Sequence, residues 1–278
     1  LIVPDLEDRQ FGHVAMSPNE RQVALTLYEN SANSDIWIWD LNRDILGRRT
    51  FAGNASRPIW SDDGRNIIYS VQDLDEPGSG GLWTLAANGS SQPLPLFQSR
   101  ERLWPHFLTS DGTLFFTMHT GPMGVYSVKL SQNGDSAGLE QQATSLDLMP
   151  GNPSEFASLD ISPNGHWLSY VSAETGINEV YVRPYPEIET GKWQASIGGG
   201  ISPLWSSSGS ELFYNRTGEQ FSVSYSEEEF SPEGVPTYIE FDRPVKIAQV
   251  PLVAGVTIND PWAYSSQRDE FIGITNGS

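Results

Sequence analysis

A short phrase recurs six times along the chain, and its spacing limits the folds that the sequence can adopt. The phrase is an apolar or aromatic residue, a Ser or Thr, two small or polar residues and, in most copies, a Gly. The Ser or Thr of each copy, here called the anchor, is one of Ser17, Ser61, Thr109, Ser162, Ser206 and Ser265. Intervals of 44–59 residues, about 50 on average, match one four-stranded propeller blade per copy.

Each phrase has the composition of a tight turn that is followed by a strand. Pro, Asp, Asn and Ser favour the start of a turn, and Gly adopts the positive φ at its end; Glu20 and Arg268 replace that Gly in two copies. The segments after the turns, such as Val23–Tyr28, are rich in β-branched and aromatic residues. A third strand and a weaker fourth one, such as Val245–Ala248, follow in most copies. No stretch has a sustained period of 3.6 residues, so we expect almost no helix.

The sequence therefore predicts an all-β fold, a six-bladed β-propeller of four-stranded antiparallel blades. The predicted blades are about 11–54, 55–99, 100–150, 151–199, 200–250, and 251–278 together with 1–10. The sixth copy stops after its second strand, so we expect Leu1–Leu6 to close the last blade and remove an exposed sheet edge. We interpret residues 1–278 as one propeller domain that is a segment of a longer protein.

Two of the phrases, Trp60–Gly64 and Ile161–Gly165, are each followed by a strand and an aromatic third strand. They resemble the WD-repeat-like blades of TolB-type six-bladed propellers. The stretch Gly191–Tyr214 is similar to the extracytoplasmic propellers of bacterial membrane-bound Ser/Thr kinases and of transmembrane transcriptional regulators. This resemblance covers residues 11–278, and it implies a periplasmic or extracytoplasmic sensor domain within a membrane-anchored protein.

Composition excludes several classes of function. The chain has no Cys, which excludes a disulfide scaffold, a thiolate nucleophile and Cys-ligated zinc. Its formal net charge of −19 argues against binding to nucleic-acid phosphates and to anionic membrane surfaces. No window of 18 apolar residues is present, so we expect no direct membrane insertion of this segment. The predicted partner is a protein or a small-molecule ligand.

The sequence contains no recognisable catalytic or cofactor motif. Its four histidines form no His-x-His or His-Glu-x-x-His pattern, and no Gly-x-Ser-x-Gly elbow is present. Gly198–Gly200 is not followed by the Lys-Ser/Thr pair of a phosphate loop. We therefore predict a non-catalytic chain without a cofactor or a metal site.

Two enzymatic alternatives stay open. A glycan-active lyase or hydrolase could bring two carboxylates together across the channel, and Asp160 and Asp260 are the candidates because both lie just upstream of an anchor. A substrate-filtering propeller of an oligopeptidase would carry no nucleophile of its own. The fold alone does not choose between these roles and ligand binding.

The first strand of each blade precedes the anchor and is expected to line the central channel. Positions four and five residues before the anchors form rings that mix charged, hydrogen-bonding and aromatic side chains. With their neighbours, they give the predicted ligand-binding residues at the channel mouth: His13, Arg57, Trp104, His106, Ser158, Asp160, Ser202, Asp260 and Trp262. Ligand sites favour such concave places with a few converging polar groups; a water-filled channel without a ligand is the alternative.

Aromatic and acidic residues elsewhere have a structural interpretation. The periodic positions of Trp60 and Trp205 predict packing between blades, whereas Trp104 and Trp262 lie off that register and are candidates for ligand contact. Asp73–Glu76 reads as a solvated acidic loop, and Glu227–Glu229 as a charged surface turn. The six repeats and the lack of a catalytic motif predict a ligand- or protein-binding propeller. The resemblance implies that it is the sensor or interaction domain of a larger bacterial signalling or regulatory protein.

Overall fold

A computed structural model of the chain describes residues 10–30, 33–72, 80–119, 123–130, 143–146, 158–232, 234–249, 262–265 and 270–273. Within these ranges every regular element is a β-strand, as the absence of a helical period predicts. None of the described residues forms a helix with the length and hydropathy needed to cross a membrane.

The first three sheets are antiparallel and each consists of four consecutive strands. The first sheet is formed by β1 (Gln10–Met16), β2 (Gln22–Tyr28), β3 (Ser34–Asp40) and β4 (Ile45–Arg48). The second sheet is formed by β5 (Ala55–Trp60), β6 (Asn66–Val71), β7 (Gly81–Ala86) and β8 (Leu94–Gln98). The third sheet is formed by β9 (Arg102–Leu108), β10 (Thr113–His119), β11 (Met123–Lys129) and β12 (Thr144–Leu146).

The remaining strands form two further sheets and a strand pair. The fourth sheet is formed by β13 (Leu159–Ile161), β14 (Trp167–Ser172), β15 (Glu179–Pro184) and β16 (Trp193–Gln194). The fifth sheet is formed by β17 (Ile201–Trp205), β18 (Glu211–Arg216), β19 (Glu219–Phe230), β20 (Pro236–Phe241) and β21 (Val245–Gln249). The strand pair is formed by β22 (Trp262–Ser265) and β23 (Glu270–Gly273). The repeated unit of four antiparallel strands is confirmed.

The repeated phrase forms the turn between the first and second strand of a sheet. In five copies the N–H of the residue three positions after the anchor donates to the carbonyl of the anchor at 2.8–2.9 Å. Gly64 and Gly165 take this position with φ of 66° and 76°, and Glu20 takes it with φ of 55°. In four copies the anchor hydroxyl also accepts a hydrogen bond from the N–H of Gln22, Asn66, Thr113 or Trp167 at 2.9–3.0 Å. The phrase is thus a hydroxyl-stabilised turn, and Glu20 leaves its geometry unchanged.

The hydrophobic core lies between neighbouring sheets, where the two periodic tryptophans pack as predicted. Trp60 is buried against Ala24 and Ile38 of the first sheet, and its Nε1–H donates to the Ala15 carbonyl at 2.9 Å. Trp205 is buried with Trp167 of the fourth sheet. An aromatic side chain of this size contributes several kcal/mol when buried, since Trp→Ala changes in cores cost about 3–5 kcal/mol.

The fifth sheet differs from the four-strand plan. β19 is 12 residues long: its first half pairs with β21, and its second half pairs with β20 in a hairpin that the sequence did not predict. Glu227–Glu229 therefore lies in a strand, and its interpretation as a surface turn was wrong. The reason is packing: Tyr225 contacts Trp205, and Phe241 of β20 contacts Tyr225, so alternating aromatic residues hold the acidic segment in the sheet.

The chain forms two compact units. One comprises Leu1–Leu146 and Val253–Ser278, and it contains the first three sheets and the β22–β23 pair. In this unit Ala263 of β22 shares a core with Val14 of β1. The other unit is Asp147–Leu252, with the fourth and fifth sheets. The closing strand predicted at Leu1–Leu6 and the loop at Asp73–Glu76 lie outside the described residues, and a single domain with the stated blades stays a prediction.

Candidate functional site

A β-bulge recurs in the first strand of four sheets, at the positions predicted to carry ligand-binding residues. In β1, β5, β9 and β17 one extra residue interrupts the pairing with the second strand, at or next to His13, Arg57, His106 and Ser202. Pro58 and Pro203 follow two of these residues, and Pro has no N–H for the ladder, so it favours a bulge there. A bulge redirects a side chain out of the regular alternation of the strand.

Arg57 adopts a backbone conformation that is uncommon for a residue with a side chain. Its φ is 54°, and Ser202 has the equivalent value of 53° in the fifth sheet. The Arg57 N–H donates to Thr26 Oγ1 of the neighbouring sheet at 3.1 Å, and the residue as a whole is buried. Backbone strain of this kind concentrates at functional positions.

The Arg57 side chain stacks on an aromatic ring from the next sheet. Its guanidinium carbon lies 3.6 Å from the centroid of the Trp104 ring, and the His119 ring packs against Trp104 with centroids 3.8 Å apart at 60°. Guanidinium–indole stacking is attractive because the ring face carries the negative part of its quadrupole. Trp104 therefore holds the Arg57 cation in place, and that face of the indole is occupied.

Three imidazoles lie within electrostatic reach of this cation, and their pKa values are lowered. Burial, followed by electrostatic interactions with Arg57 and His106, lowers the pKa of His13 well below its usual value. Burial, followed by Arg57 and His119, lowers the pKa of His106 to about 3. Burial, followed by Arg102 and Arg57, lowers the pKa of His119 to about 4. At neutral pH the cluster thus joins fixed arginine charges to uncharged imidazoles.

The hydrogen-bonding capacity of the cluster is only partly used. His106 Nε2 lies 3.3 Å from Thr117 Oγ1. Both ring nitrogens of His13 and Nε2 of His119 are buried, and none of them has a hydrogen-bond partner among the described residues. A buried polar atom without a hydrogen-bond partner costs about 1–3 kcal/mol, so these nitrogens lower the stability of the fold unless a further group bonds them.

A cleft of about 280 Å³ opens beside the cluster, between the second and third sheets. It is lined by the ends of β6 and β10 and by the segment before β9, including Gln72, Arg100, Arg102 and His119. With its amide oxygen turned toward Arg102, Gln72 accepts hydrogen bonds from the guanidinium at 2.6 and 2.5 Å. His119 therefore belongs both to the cleft and to the ring that packs on Trp104.

The structure brings together four of the predicted site residues, His13, Arg57, Trp104 and His106. Sequence reasoning missed His119 and Arg102, which pair with each other across β9 and β10. The available signal was strand alternation: Thr117 pairs with Trp104, and His119 is two residues further along the same strand.

Two other predicted residues, Asp260 and Trp262, belong to the first unit. Asp260 lies outside the described residues. Trp262 begins β22, but its side chain is also outside the described part of the chain. The facing pair that the glycan-active alternative requires therefore stays a prediction.

The second unit holds the remaining predicted residues, and there they have backbone partners. Asp160 Oδ1 accepts from the Ile161 N–H at 2.9 Å, and Oδ2 accepts from the Trp205 N–H at 2.8 Å. This carboxylate links β13 to β17. Ser158 and Ser202 are buried. The described geometry gives Asp160 a structural role, and ligand contact by these three residues stays a prediction.

No group of three or more His, Asp or Glu side chains in the described ranges is arranged to hold a metal ion. The three imidazoles are instead placed around arginine charges, which oppose a second cation.

Comparisons with known proteins place the fold. No protein-family model matches the sequence, and no curated protein matches it. Among solved structures, TolB from Acinetobacter baumannii has a TM-score of 0.59 with 15% identity, over 87% of this chain and 55% of that chain. The chain has a TolB-like β-propeller fold.

Other solved propellers match to a similar extent. A structure of the nidogen/laminin complex has a TM-score of 0.58 with 14% identity, over 78% of this chain and 76% of that chain. A puromycin-hydrolysing peptidase of Mycobacterium tuberculosis has a TM-score of 0.60 with 14% identity, over 97% of this chain and 46% of that chain. This TolB-like chain thus spans about half of the length of TolB and of the peptidase, and identities this low show the fold alone.

Proposed function

We propose that the chain is a non-catalytic binding propeller that recognises a ligand or a protein segment at the cluster of His13, Arg57, Trp104, His106 and His119. The observation that carries this proposal is His13, whose two buried ring nitrogens have no partner among the described residues and lie within electrostatic reach of Arg57. A fold without a ligand tolerates this arrangement only at a cost in stability, which a bound ligand offsets.

The properties of the cluster favour binding over catalysis. The pKa values of His106 and His119, about 3 and about 4, lie far below the operating range of a general acid or base near pH 7. Asp160, the candidate carboxylate of the glycan-active alternative, accepts two backbone hydrogen bonds and links two strands. These features support a role in recognition.

We further propose that the chain is the sensor or interaction domain of a larger bacterial signalling or regulatory protein, located outside the cytoplasm and anchored to the membrane by another part of that protein. The resemblance of its repeats to extracytoplasmic sensor propellers supports this placement. A repeat scaffold presents equivalent strands at one site, and ligand binding there can shift an equilibrium in an attached effector. The complete open reading frame tests this proposal. A kinase or DNA-binding domain together with a membrane span supports the sensor role, whereas an adjoining hydrolase domain supports the role of an oligopeptidase propeller instead.

The binding function is tested with a panel of compounds and one matched pair of variants. The thermal midpoint Tm is measured for the wild type, Arg57→Gln and Arg65→Gln with neutral oligosaccharides, short peptides, nucleotides and organic acids. Arg65 is an exposed surface arginine whose loss removes the same charge. We expect at least one class to raise the Tm of the wild type and of Arg65→Gln, but not that of Arg57→Gln.

Turnover is assayed on the same panel, extended with glycosides, lactones and peptide amides. We expect no product above the rate of the buffer. Product formation that disappears in Asp160→Asn or His106→Gln would overturn the proposal in favour of an enzyme. A panel in which no compound shifts the Tm in a manner that depends on Arg57 also contradicts it.

A further inference from the structure

We propose that the cleft between the second and third sheets is an anion-binding site, in which the guanidinium groups of Arg100 and Arg102 hold the oxyanion of a ligand. The inference goes beyond the binding function proposed above, because it needs neither Arg57 nor His13 and shares only His119 with that cluster. A carboxylic acid and a phosphate ester both supply an oxyanion, and the experiment below separates these two sources.

The segment that carries both arginines is held in place by backbone hydrogen bonds, which is the first argument. The Ser99 N–H donates to the Gly80 carbonyl at 3.0 Å, just before β7, and the Glu101 N–H donates to Ser99 Oγ at 3.0 Å. Arg102 is the first residue of β9 and pairs with His119 of β10. The segment is thus tied to the second sheet at one end and to the third sheet at the other. The cleft of about 280 Å³ between them accommodates a small anionic group and a few further atoms.

The charge of the cleft is the second argument. Arg100 and Arg102 both line the cleft and are exposed, and neither forms an ion pair with a described residue. Among the described residues of the cleft only Glu101 carries a carboxylate, and this carboxylate is not ion-paired with either arginine. The two cations outnumber the one anion, so the cleft attracts an oxyanion although the chain as a whole has a net charge of −19.

The orientation of Arg102 is the third argument. The Gln72 amide oxygen accepts from Nε and Nη2 of this guanidinium at 2.6 and 2.5 Å, which fixes its plane. An amide oxygen carries no net charge, so the contact orients Arg102 without neutralising it. A guanidinium has five N–H donors, and Gln72 uses only the edge that Nε shares with Nη2. The end of the group, where Nη1 and Nη2 each carry a further N–H, matches the two oxygens of a carboxylate or phosphate.

The His119 ring lines the same cleft and senses the charge of Arg102. Burial, followed by Arg102 and Arg57, lowers the pKa of His119 to about 4. The ring is therefore uncharged near pH 7, and the positive charge of the cleft belongs to the arginines. An anion that balances Arg102 raises the pKa of His119, because it removes one of the charges that oppose the protonated ring. His119 thus provides an internal reporter of an anion bound at Arg102.

Pairs of charged and neutral probes test the proposal. The probes are acetate with acetamide and methyl phosphate with trimethyl phosphate, each at an ionic strength matched with NaCl. Binding is followed in the wild type by the ¹⁵N and ¹H shifts of the His119 ring, which are assigned by their loss in His119→Gln. We expect saturable shifts with acetate, methyl phosphate or both, and a Kd at least about tenfold weaker for the neutral partner. The pKa of His119 should rise when the anion is bound.

Variants locate the binding groups. We expect Arg102→Gln to weaken anion binding by at least about tenfold, and Arg102→Lys to weaken it less because lysine keeps the charge but loses the paired donors. Arg100→Gln should weaken binding by about two- to fivefold, since an exposed charge without an orienting partner contributes less. Arg65→Gln is the matched control, because it removes an exposed arginine outside the cleft and should leave the Kd unchanged. If Arg102→Gln does not fold, the comparison of charged with neutral probes in the wild type still decides the matter.

The outcomes separate the two sources and keep the cleft distinct from the Arg57 cluster. Binding of acetate alone supports a carboxylic acid as the ligand, binding of methyl phosphate alone supports a phosphate ester, and binding of both supports an oxyanion site that accepts either. Equal binding of charged and neutral probes, no shift with either anion, or anion binding that survives Arg102→Gln overturns the site. Anion binding that is lost in Arg57→Gln but kept in Arg102→Gln also overturns it, and leaves the binding function proposed above standing. Anion binding that depends on Arg102, together with an earlier panel in which no Tm shift depends on Arg57, supports the cleft and contradicts that binding function.

Discussion

The guanidinium carbon of Arg57 lies 3.6 Å from the centroid of the Trp104 ring, although the two residues belong to different sheets and are far apart in sequence. This contact joins the bulge of β5 to the strand that carries His106. It also fixes the one cation that reaches all three imidazoles of the cluster. The stability of the contact is therefore a measure of how rigidly the site is preorganised.

A double-mutant cycle on Arg57→Gln and Trp104→Leu measures this contact. We expect a coupling of about 1–2 kcal/mol in the free energy of unfolding, because the pair is largely removed from solvent and desolvated cation–π contacts reach this range. Urea unfolding of the four proteins supplies the values. A coupling near zero would show that the two side chains contribute independently and that Trp104 does not hold the guanidinium.

Much of the fold could be predicted because its signal is local. The turn phrase, the hydroxyl of its anchor and the strand that follows lie within about a dozen residues, and the hydrogen bonds that stabilise Ser162 and Gly165 connect neighbours in sequence. The period of the phrase then placed Trp60 and Trp205 between sheets. Local turn chemistry and periodicity are the two properties that a single sequence expresses most directly.

The site was predicted less completely because its geometry depends on pairing between distant segments. Counting from the anchors located Arg57 and Trp104, and His106 as a neighbour, but not the bulges in their strands. His119 reaches the cluster only through its register in β10. The acidic residues near Glu227 form a strand that their composition did not predict, and the side-chain partners of this strand include residues of another sheet. No local pattern encodes these relationships, since a shift of one residue in register moves a side chain to the other face.

The neutral state of His106 predicts a dependence of stability on pH. Its pKa is about 3 in the folded chain and about 6.5 when unfolded, so below pH 6.5 the unfolded state binds a proton that the native state does not. The contribution of the neutral His106 to the free energy of unfolding is complete above about pH 6.5 and is lost as the pH falls toward 3. We expect His106→Gln to reduce the slope of unfolding free energy against pH between 6 and 4.5 by up to about 1.4 kcal/mol per unit.

Denaturant unfolding at several pH values gives these slopes, and the difference between the variant and the wild type removes the contribution of the carboxylates that both share. His166→Gln makes the same substitution at a histidine that is not part of the cluster, so it controls for the substitution itself. Identical slopes for His106→Gln and the wild type would contradict the lowered pKa.

The hydroxyl of an anchor predicts the cost of losing the repeated turn. Ser162 is buried, accepts from the Trp167 N–H at 2.9 Å and donates to Asn164 Oδ1 at 2.7 Å. We expect Ser162→Ala to destabilise the fold by about 1–2 kcal/mol, since a buried N–H loses its acceptor. Ser90→Ala, at an exposed position, should change the value by less than about 0.5 kcal/mol. Comparable losses for the two variants would show that the anchor hydroxyl does not stabilise the turn.

Two glycines with positive φ differ in the space that a Cβ would have. Gly165 has φ of 76° and open space within 4 Å of the position that a Cβ would take, whereas Gly81 has φ of 130° and a Cβ there would lie 2.0 Å from the Phe97 carbonyl oxygen. We expect Gly165→Ala to cost about 1–2 kcal/mol from the left-handed backbone alone. Gly81→Ala should cost more than about 3 kcal/mol or prevent folding, because the obstacle is the backbone of β8. Thermal and urea unfolding give the order, and a reversed order would contradict the close approach of β7 and β8.

Glu227 predicts how the additional hairpin is attached to the fourth sheet. Its Oε1 accepts from Trp167 Nε1–H at 2.8 Å and from Asn164 Nδ2–H at 2.6 Å, so one carboxylate oxygen connects β19 to the turn and the second strand of that sheet. Hydrogen bonds to a charged acceptor contribute about 1.5–3 kcal/mol. We expect Glu227→Ala to destabilise the fold by about that amount and to increase the hydrogen exchange of the Trp167 indole N–H at least about tenfold. Glu228 is the matched control, because it is adjacent, has the same charge and is exposed; equal effects of Glu228→Ala would mean that net charge, rather than the bond to Trp167, anchors the hairpin.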